Sequence, residues 1–447
     1  MINNKIICAV LLMGLGCETF AFDLVEAYQR AQNFDPNWQA EQLQYETDRL
    51  NLGIAKGNLL PTITLNANVT RKSQQLSGGE FNIPGFDSQS LVSSTSTTKQ
   101  ISTTARQPLF RWDAWQGLKQ VKTSVTLSEV NLALQQQQHI LSVSDAYFNV
   151  LRQQALTLSY VKEEQALSEQ LKMMQAKFTQ GLVARSEVNE ANAQYQSARA
   201  NRLATQVEVT LAQERLAQLI GDYRENLAVL DENFIYQPVQ PNDLSYWQQY
   251  AVEHNLELYQ ANLQVQYAAD AKRVEQAAYY PQLEATASYG YTQQSPTTVM
   301  SADGEFDQVG LELNWTVFNG GQTQTNVKKA DKQLQKAQAQ REAVQLKVKT
   351  SLKQAYLQVE ADQAKLQARE AAYLSAQSVS NASQAQYREG LKNMVDVLLA
   401  QRNAFAARQD YLNAQYDYLS NVLRFKAATG QLSEQDLTDL NRWLVHK

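Results

Sequence analysis

The sequence contains an internal repeat, and this repeat constrains the fold of the chain more than any other feature. A series of landmarks in Asp23–Asp222 returns in the same order in Leu244–Gln431. Each series has a proline before an alternating stretch, a long stretch without proline or glycine, a Gly-Leu turn and a closing glycine. Gly181–Gly221 and Gly390–Gly430 match in register without a gap. Two copies of one structural unit are therefore predicted in tandem.

The amino terminus has the pattern of a secretory signal that is removed from the mature chain. Lys5 precedes the apolar run Ile6–Leu15, and the residues ending at Ala21 suit cleavage after it. Cys8 and Cys17, the only cysteines, fall inside this leader, so no disulfide is predicted. In the alternative, Cys17 is a lipidated first residue. The predicted organisation is a leader over 1–21, a first repeat over 22–232 and a second repeat over 233–447.

Four stretches have the period of β-strands. In Thr62–Thr70 apolar and polar side chains alternate without exception. The predicted strands lie at about 62–72, 99–110, 282–292 and 307–318. Each approaches the roughly 9 to 11 residues that a tilted strand needs to cross a bilayer, and the clearer ones have a continuous apolar face. Soluble hairpins over a small core are the alternative, but polar loops at one end and prolines with aromatic residues at the other favour a membrane.

Four strands with a lipid-facing side cannot remain an open sheet in hydrocarbon, because their edge amides would lack partners. The strands are therefore predicted to be shared among copies of the chain. Three copies would close a twelve-stranded barrel wide enough for a passage, whereas two would close an eight-stranded barrel that side chains nearly fill.

Two stretches without proline or glycine, Leu118–Lys177 and Gln324–Gln386, predict very long helices. Each would extend about 90 Å at 1.5 Å per residue. Apolar residues recur seven positions apart, as in Leu127, Leu134 and Leu141, which favours coiled-coil contacts. Each helix is predicted to turn at its Gly-Leu pair and run back, so that the chain forms two helical hairpins. The hairpins of several copies could enclose a tube, and a solid rod is the alternative.

Composition argues against several classes of function. The chain has 40 basic and 45 acidic residues with both signs interspersed, so no basic tract for a nucleic acid is predicted. It has no Ser/His/Asp or Cys/His grouping, no phosphate-binding glycine loop and no metal-ligand spacing. We therefore expect neither an enzyme nor a cofactor or metal site.

Three segments, Phe178–Ala184, Met394–Leu398 and Gln431–Leu437, together with the order of the repeats, resemble the outer-membrane efflux protein family. The likeness covers essentially the whole mature chain. It implies a trimeric twelve-stranded β-barrel with four strands per chain, continued by a long α-helical coiled-coil barrel. Such a protein lies in the Gram-negative outer membrane and extends into the periplasm. The implied function is the exit duct of tripartite multidrug efflux pumps and/or type I protein secretion.

The resemblance also implies partners. Two further copies complete a homotrimer surrounded by outer-membrane lipid, and a periplasmic adaptor (membrane fusion) protein docks on the helical hairpins. An inner-membrane transporter of the RND, ABC or MFS type supplies the energy, and adaptor and transporter open the passive conduit at its periplasmic tip. The competing interpretation is a non-conducting trimeric coiled-coil surface protein or adhesin, which would not need the strands repeated at matched positions.

At the tip, the resemblance assigns gate contacts to Tyr387 and Lys392 on one hairpin and to Ser186 and Glu187 on the other. An ion pair between Lys392 and Glu187 is expected, and an exposed pair contributes only about 0 to 1 kcal/mol. The family more typically has Arg at the position of Lys392, and Lys cannot make the planar bidentate contact.

Asp396 matches an acidic position that lines the channel constriction in the family. Three carboxylates in a ring favour cations, and the family's second carboxylate position is Leu399 here, so a weaker cation preference is expected. Two Gly-Leu pairs end the long helices, and the family implies that they contact the adaptor. These residues are Gly181, Leu182, Gly390 and Leu391.

Overall fold

The computed structural model describes residues 22–75, 93–231, 234, 236, 238–295 and 303–445. The predicted leader, with both cysteines, lies outside these residues. The helices are α1 Leu24–Phe34, α2 Pro36–Gly57, α3 Trp112–Thr179, α4 Arg185–Ile220, α5 Leu244–His254, α6 Leu256–Ala277, α7 Gln322–Arg388, α8 Met394–Thr429 and α9 Glu434–Asn441. The strands are β1 Thr62–Gln75, β2 Ser93–Phe110, β3 Val229–Leu230, β4 Gln282–Ser295, β5 Gly304–Asn314 and β6 Leu444–Val445.

Helices and strands follow the same order twice. The series from α1 to α4 contains two helices, two strands, a long helix and its return, and α5 to α8 with β4 and β5 repeat that series. Even the lengths agree, since α1 and α5 have 11 residues, α2 and α6 have 22, and α4 and α8 have 36. The tandem repeat predicted from the landmarks is therefore present in the fold.

The chain divides into two compact units that interleave along the sequence. The first takes the residues up to Glu41, Ala133–Leu256 and everything from Lys347 onward. The second takes Gln42–Leu132 and Glu257–Leu346. Each unit draws on both repeats, so the compact units do not coincide with the halves of the sequence.

The second unit contains a four-stranded antiparallel sheet in the order β1-β2-β4-β5. Its registers align the alternating positions, so that one face is largely apolar and the other polar. The apolar face includes Ile63, Leu65, Val69, Ile101, Tyr289, Tyr291, Val309, Leu311 and Leu313. These side chains are exposed in the single chain, Val309 to 84%. An apolar face of this size marks a contact surface.

The last strand of this sheet differs from its prediction at about 307–318. β5 begins at Gly304 and ends at Asn314, whose partner is Gln282, the first residue of β4. Pro281 precedes that residue and cannot donate to a strand ladder. Because β4 offers no further partner, the alternation of Trp315 and Val317 continues beyond the sheet without pairing to it.

The long helices agree with the predictions from the proline- and glycine-free stretches. α3 has 68 residues and α7 has 67, so each is about 100 Å long. None of the helices among the described residues combines the length and the apolar character needed to cross a bilayer.

The first unit is held by a hydrophobic core that includes Phe22 and Leu444, near the first and last of the described residues. Tyr147 of α3 is fully buried there, and its hydroxyl lies 3.0 Å from the Phe22 carbonyl oxygen and 2.9 Å from that of Ala228. Burial raises the pKa of Tyr147 far above its usual range, so its hydroxyl stays protonated as a donor.

A buried histidine lies in the same unit. The ring of His139 stacks on Trp38 with centroids 5.3 Å apart, and its Nδ1 lies 3.3 Å from a carboxylate oxygen of Asp35. Its Nε2 is buried without a hydrogen-bond partner among the described residues. Burial lowers the pKa of His139, against a smaller opposing effect of the Asp35 carboxylate. The imidazole is therefore neutral at neutral pH.

Candidate functional site at the helical turns

Two turns of the same geometry connect α3 to α4 and α7 to α8. Gly181 has φ 72° and Gly390 has φ 75°, the left-handed region that glycine enters without strain. At the first turn, the Leu182 amide donates to the Lys177 carbonyl at 3.0 Å, and the Gly181 amide donates to Phe178 at 2.9 Å.

The second turn repeats this pattern. The Leu391 amide donates to the Gln386 carbonyl at 2.8 Å, and the Gly390 amide donates to Tyr387 at 3.1 Å. This pair of bonds is the Schellman motif, which satisfies the last carbonyls of a helix. Apart from the adjoining residues of the chain, no described atom lies within 4 Å of where a Cβ of Gly181 or Gly390 would stand, so the backbone conformation is what favours glycine here.

The leucines that follow the two glycines are unusually exposed. Leu182 is 67% and Leu391 is 77% exposed, although a hydrophobic residue at this place in a Schellman motif commonly packs against its own helix. Two apolar side chains at equivalent turns are thus available to another molecule.

A small apolar core lies next to the turns and joins the two hairpins. Its buried members come from α3, α4 and α8, and include Met174, Ala191, Met394 and Val397. Tyr387, near the end of α7, packs against this core and is half-buried. The ends of all four long helices are therefore held by one set of contacts.

One polar contact across the hairpins, next to their turns, is made by a residue that sequence reasoning missed. Lys177 of α3 donates to the hydroxyl of Tyr387 of α7 at 2.9 Å, and its ammonium lies 4.6 Å from the centre of that ring. The sequence signal that could have pointed to Lys177 is the repeat itself. Phe178 and Tyr387 each lie three residues before the turn glycine, and Lys177 is adjacent to the first of them.

Lys392 has a different partner from the one expected. Its ammonium donates to the hydroxyl of Ser383 at 2.9 Å, within the α7–α8 hairpin. The expected ion pair with Glu187 is not formed among the described residues of this chain. Ser383 is 1% exposed, so this buried hydroxyl needs a partner that Lys392 supplies.

Glu187 and Ser186 lie in the first turn of α4, and within the described residues neither side chain forms a hydrogen bond or ion pair with Lys392 or Tyr387. A carboxylate in the first turn of a helix interacts favourably with the helix dipole.

Asp396 lies in the first turn of α8 and is exposed. The side chain of Asn393 caps this helix by accepting a hydrogen bond from the Asp396 amide at 2.9 Å. Its carboxylate also complements the helix dipole. Leu399, one turn later, is exposed on the same helix. Nothing in this geometry provides a nucleophile and base, and no group of His, Cys, Asp or Glu within the described ranges is placed to hold a metal.

Comparisons with known proteins agree on one family over most of the chain. Residues 27–222 and 247–431 match the family described as "Outer membrane efflux protein". The chain is 30% identical to "Outer membrane protein TolC" of Escherichia coli (strain K12), over 98% of this chain and 88% of the relative. It is 26% identical to "Alkaline protease secretion protein AprF" of Pseudomonas aeruginosa, over 94% and 87%. Its fold is similar to the crystal structure of the Campylobacter jejuni CmeC outer membrane channel, with a TM-score of 0.78, 15% identity, and 94% and 89% of the two chains covered.

Proposed function

Because the chain belongs to the outer membrane efflux protein family, we propose that it is the outer-membrane exit duct of a tripartite efflux or type I secretion system. The observation that carries this proposal is the match of both repeats to a family of outer-membrane efflux proteins, on a fold that combines an exposed apolar sheet face with very long helices. A surface adhesin would have no use for this combination, and the family membership favours the duct.

The sheet of the second unit is proposed to form one third of a twelve-stranded barrel. Its apolar face would contact lipid, and its polar face, with Thr64, Asn66 and Arg106, would line the passage. β1 and β5 are the sheet's edges within the described residues, and unpaired edges are not tolerated in hydrocarbon. Three copies would pair these edges and leave room for a conduit.

The helical turns are proposed to form the gate at the periplasmic end. Lys177 and Tyr387 hold the two hairpins together, and Lys392 with Ser383 stiffens the α7–α8 hairpin. Ser186 and Glu187 would then act on a neighbouring copy. Contacts of this kind contribute about 1 kcal/mol each when partly exposed, which a docking partner can overcome.

Adaptor docking is proposed at the two turns themselves. Leu182 and Leu391 are exposed, follow glycines of identical conformation and would offer a repeated apolar contact to a periplasmic adaptor. Gly181 and Gly390 present them at this position. Asp396 is proposed to form, with its copies, an acidic ring at the constriction.

Both efflux and protein export are consistent with the relatives. One relative is named as an alkaline protease secretion protein and another as "Outer membrane efflux protein BepC". An inner-membrane transporter would supply the energy in either case.

The test is the native mass and the conductance of the protein extracted from outer membranes in mild detergent. We expect a trimer that inserts into planar bilayers and conducts weakly until its tip is opened. A monomer that never conducts would contradict the proposal. Loss of drug tolerance or of a secreted protein in a deletion strain, restored by the gene, would then separate the two cargoes.

A further inference from the structure

The two edge strands of the sheet carry opposite charge at the same end. β1 approaches its polar loop with Arg71 and Lys72, and β5 leaves its own polar loop with Glu305 and Asp307. The pairings of Gln75 with Ser93 and of Thr97 with Ser295 place the last residues of β1 and β4 and the first residues of β2 at one end of the sheet. Each edge strand has a neighbour on one side only among the described residues, and such an edge is a template for another chain.

The registers of the three strand pairs determine on which face of the sheet each charged residue lies. Odd-numbered residues of β1 and β5 share the apolar face, because the ladders pair odd with odd positions across the sheet. Arg71, Glu305 and Asp307 therefore border the apolar face, whereas Lys72 lies on the polar face. All of these side chains are exposed in the single chain.

Pairing of β1 with β5 of a second copy must keep this apolar face continuous, so odd positions again oppose odd positions. One register opposes apolar residues with apolar residues along the seam and places an acidic residue opposite Arg71. It pairs Leu65 with Leu313, Ala67 with Leu311, Val69 with Val309 and Arg71 with Asp307.

The neighbouring registers lose part of this match. A shift by two residues in one direction places Val69 opposite Asp307. A shift by two in the other direction places Arg71 opposite Val309. The first shift would oppose Arg71 with Glu305 but lose the pair of Val69 with Val309, and the second would leave Arg71 without an acidic residue opposite it.

We propose that Arg71 of one copy forms an ion pair with Asp307 of the next copy and that this pair sets the register of the seam. Glu305 lies diagonally across from Arg71 and adds a second carboxylate within reach. The guanidinium suits this place because it can contact both carboxylates through its fork of donors. This inference rests on the proposed function, since it requires copies that associate through their sheets.

The first test compares the dissociation of the detergent-extracted protein into monomers for three variants. A cross-strand charge pair changes an equilibrium about 1.4- to fivefold, and like charges directly opposite each other are destabilising. A trimer contains three such pairs and Arg71→Asp reverses each of them, so the dissociated fraction should increase about tenfold. Lys72→Asp, a charge reversal at the next residue but on the polar face, should leave dissociation unchanged. Arg71→Asp combined with Asp307→Arg should restore the trimer.

The second test measures the register directly with cysteine pairs in the mature chain. Val69→Cys with Val309→Cys should yield covalently linked chains under oxidation, because residues that face each other across strands lie within disulfide reach. Val69→Cys with Leu311→Cys is the matched control and should not cross-link, since these positions would be two residues out of register.

The outcomes separate this inference from the proposed function. A wild-type monomer would contradict the duct itself. A wild-type trimer that Arg71→Asp leaves intact, or a cross-link only in the control pair, would overturn the seam pair and leave the duct standing. If Arg71→Asp dissociates the trimer but Asp307→Arg does not restore it, the Arg71–Asp307 ion pair is wrong.

Discussion

The ammonium of Lys177 lies 2.9 Å from the phenolic oxygen of Tyr387 and 4.6 Å from the centre of its ring, and so joins the two helical hairpins next to their turns. A hydrogen bond and a cation–π contact are made by the same two side chains. Removing the ammonium of Lys177 or the hydroxyl of Tyr387 should loosen the hairpins without disturbing the apolar core beside them.

Lys177→Met should raise the single-channel conductance in planar bilayers, because it removes the charge and the donor while keeping the bulk of the side chain. Tyr387→Phe, which keeps the ring, should raise it less. Lys172→Met is the matched control, since Lys172 is an exposed lysine on the same helix. If wild type, Lys177→Met and the control have equal conductance, Lys177 does not contribute to the gate.

Lys392→Ser and Ser383→Ala should affect conductance through the same contact, the hydrogen bond between these two side chains. Each is expected to increase conductance modestly, and the double variant should add little to the larger single effect, because both remove the same 2.9 Å hydrogen bond. Glu187→Gln should instead add its effect to that of Lys392→Ser. Lys392→Ser combined with Glu187→Gln could instead prove non-additive, and Lys392→Ser combined with Ser383→Ala additive. In that case Lys392 pairs with Glu187 of another copy in the assembled protein.

Asp396→Asn should reduce the preference of the channel for cations, as measured by the reversal potential in a salt gradient. It should also cost about 0.3 to 1 kcal/mol of stability, because a first-turn carboxylate is lost from α8. Glu389→Gln, at an exposed carboxylate just before the turn, is the control. An unchanged reversal potential for Asp396→Asn would contradict a carboxylate ring at the constriction.

His139 predicts an acid sensitivity of the first unit. Its pKa is lowered in the folded state by burial, while an unfolded chain has the ordinary value of about 6.5. Between these values the unfolded state binds more protons, so stability rises with pH. The contribution is present above about pH 6.5 and is lost as pH falls from there through the folded pKa of His139.

Thermal unfolding between pH 8 and pH 5 should therefore show a falling midpoint that His139→Gln flattens. His254→Gln is the control, because His254 is an exposed histidine at the end of α5. The same slope in wild type and His139→Gln would assign the acid sensitivity to other groups.

Local patterns of the sequence predicted most elements of the fold. Alternation around Ile63 and Leu65 gave a strand, the absence of proline and glycine through α3 and α7 gave long helices, and Gly181 and Gly390 marked their turns. These features depend on neighbours two to four residues apart, so a single stretch of sequence contains all that determines them.

Only the tertiary structure decided which distant groups meet. Lys177 and Tyr387 are separated by 210 residues, and no local pattern connects them. Lys392 contacts Ser383 because α7 and its turn bring this buried hydroxyl within reach, and β5 ends at Asn314 because its partner strand begins at Gln282. The sequence by itself determined the periodic elements and their repeat, whereas the sheet order and the contacts at the turns required the packing of segments that no short-range interaction links.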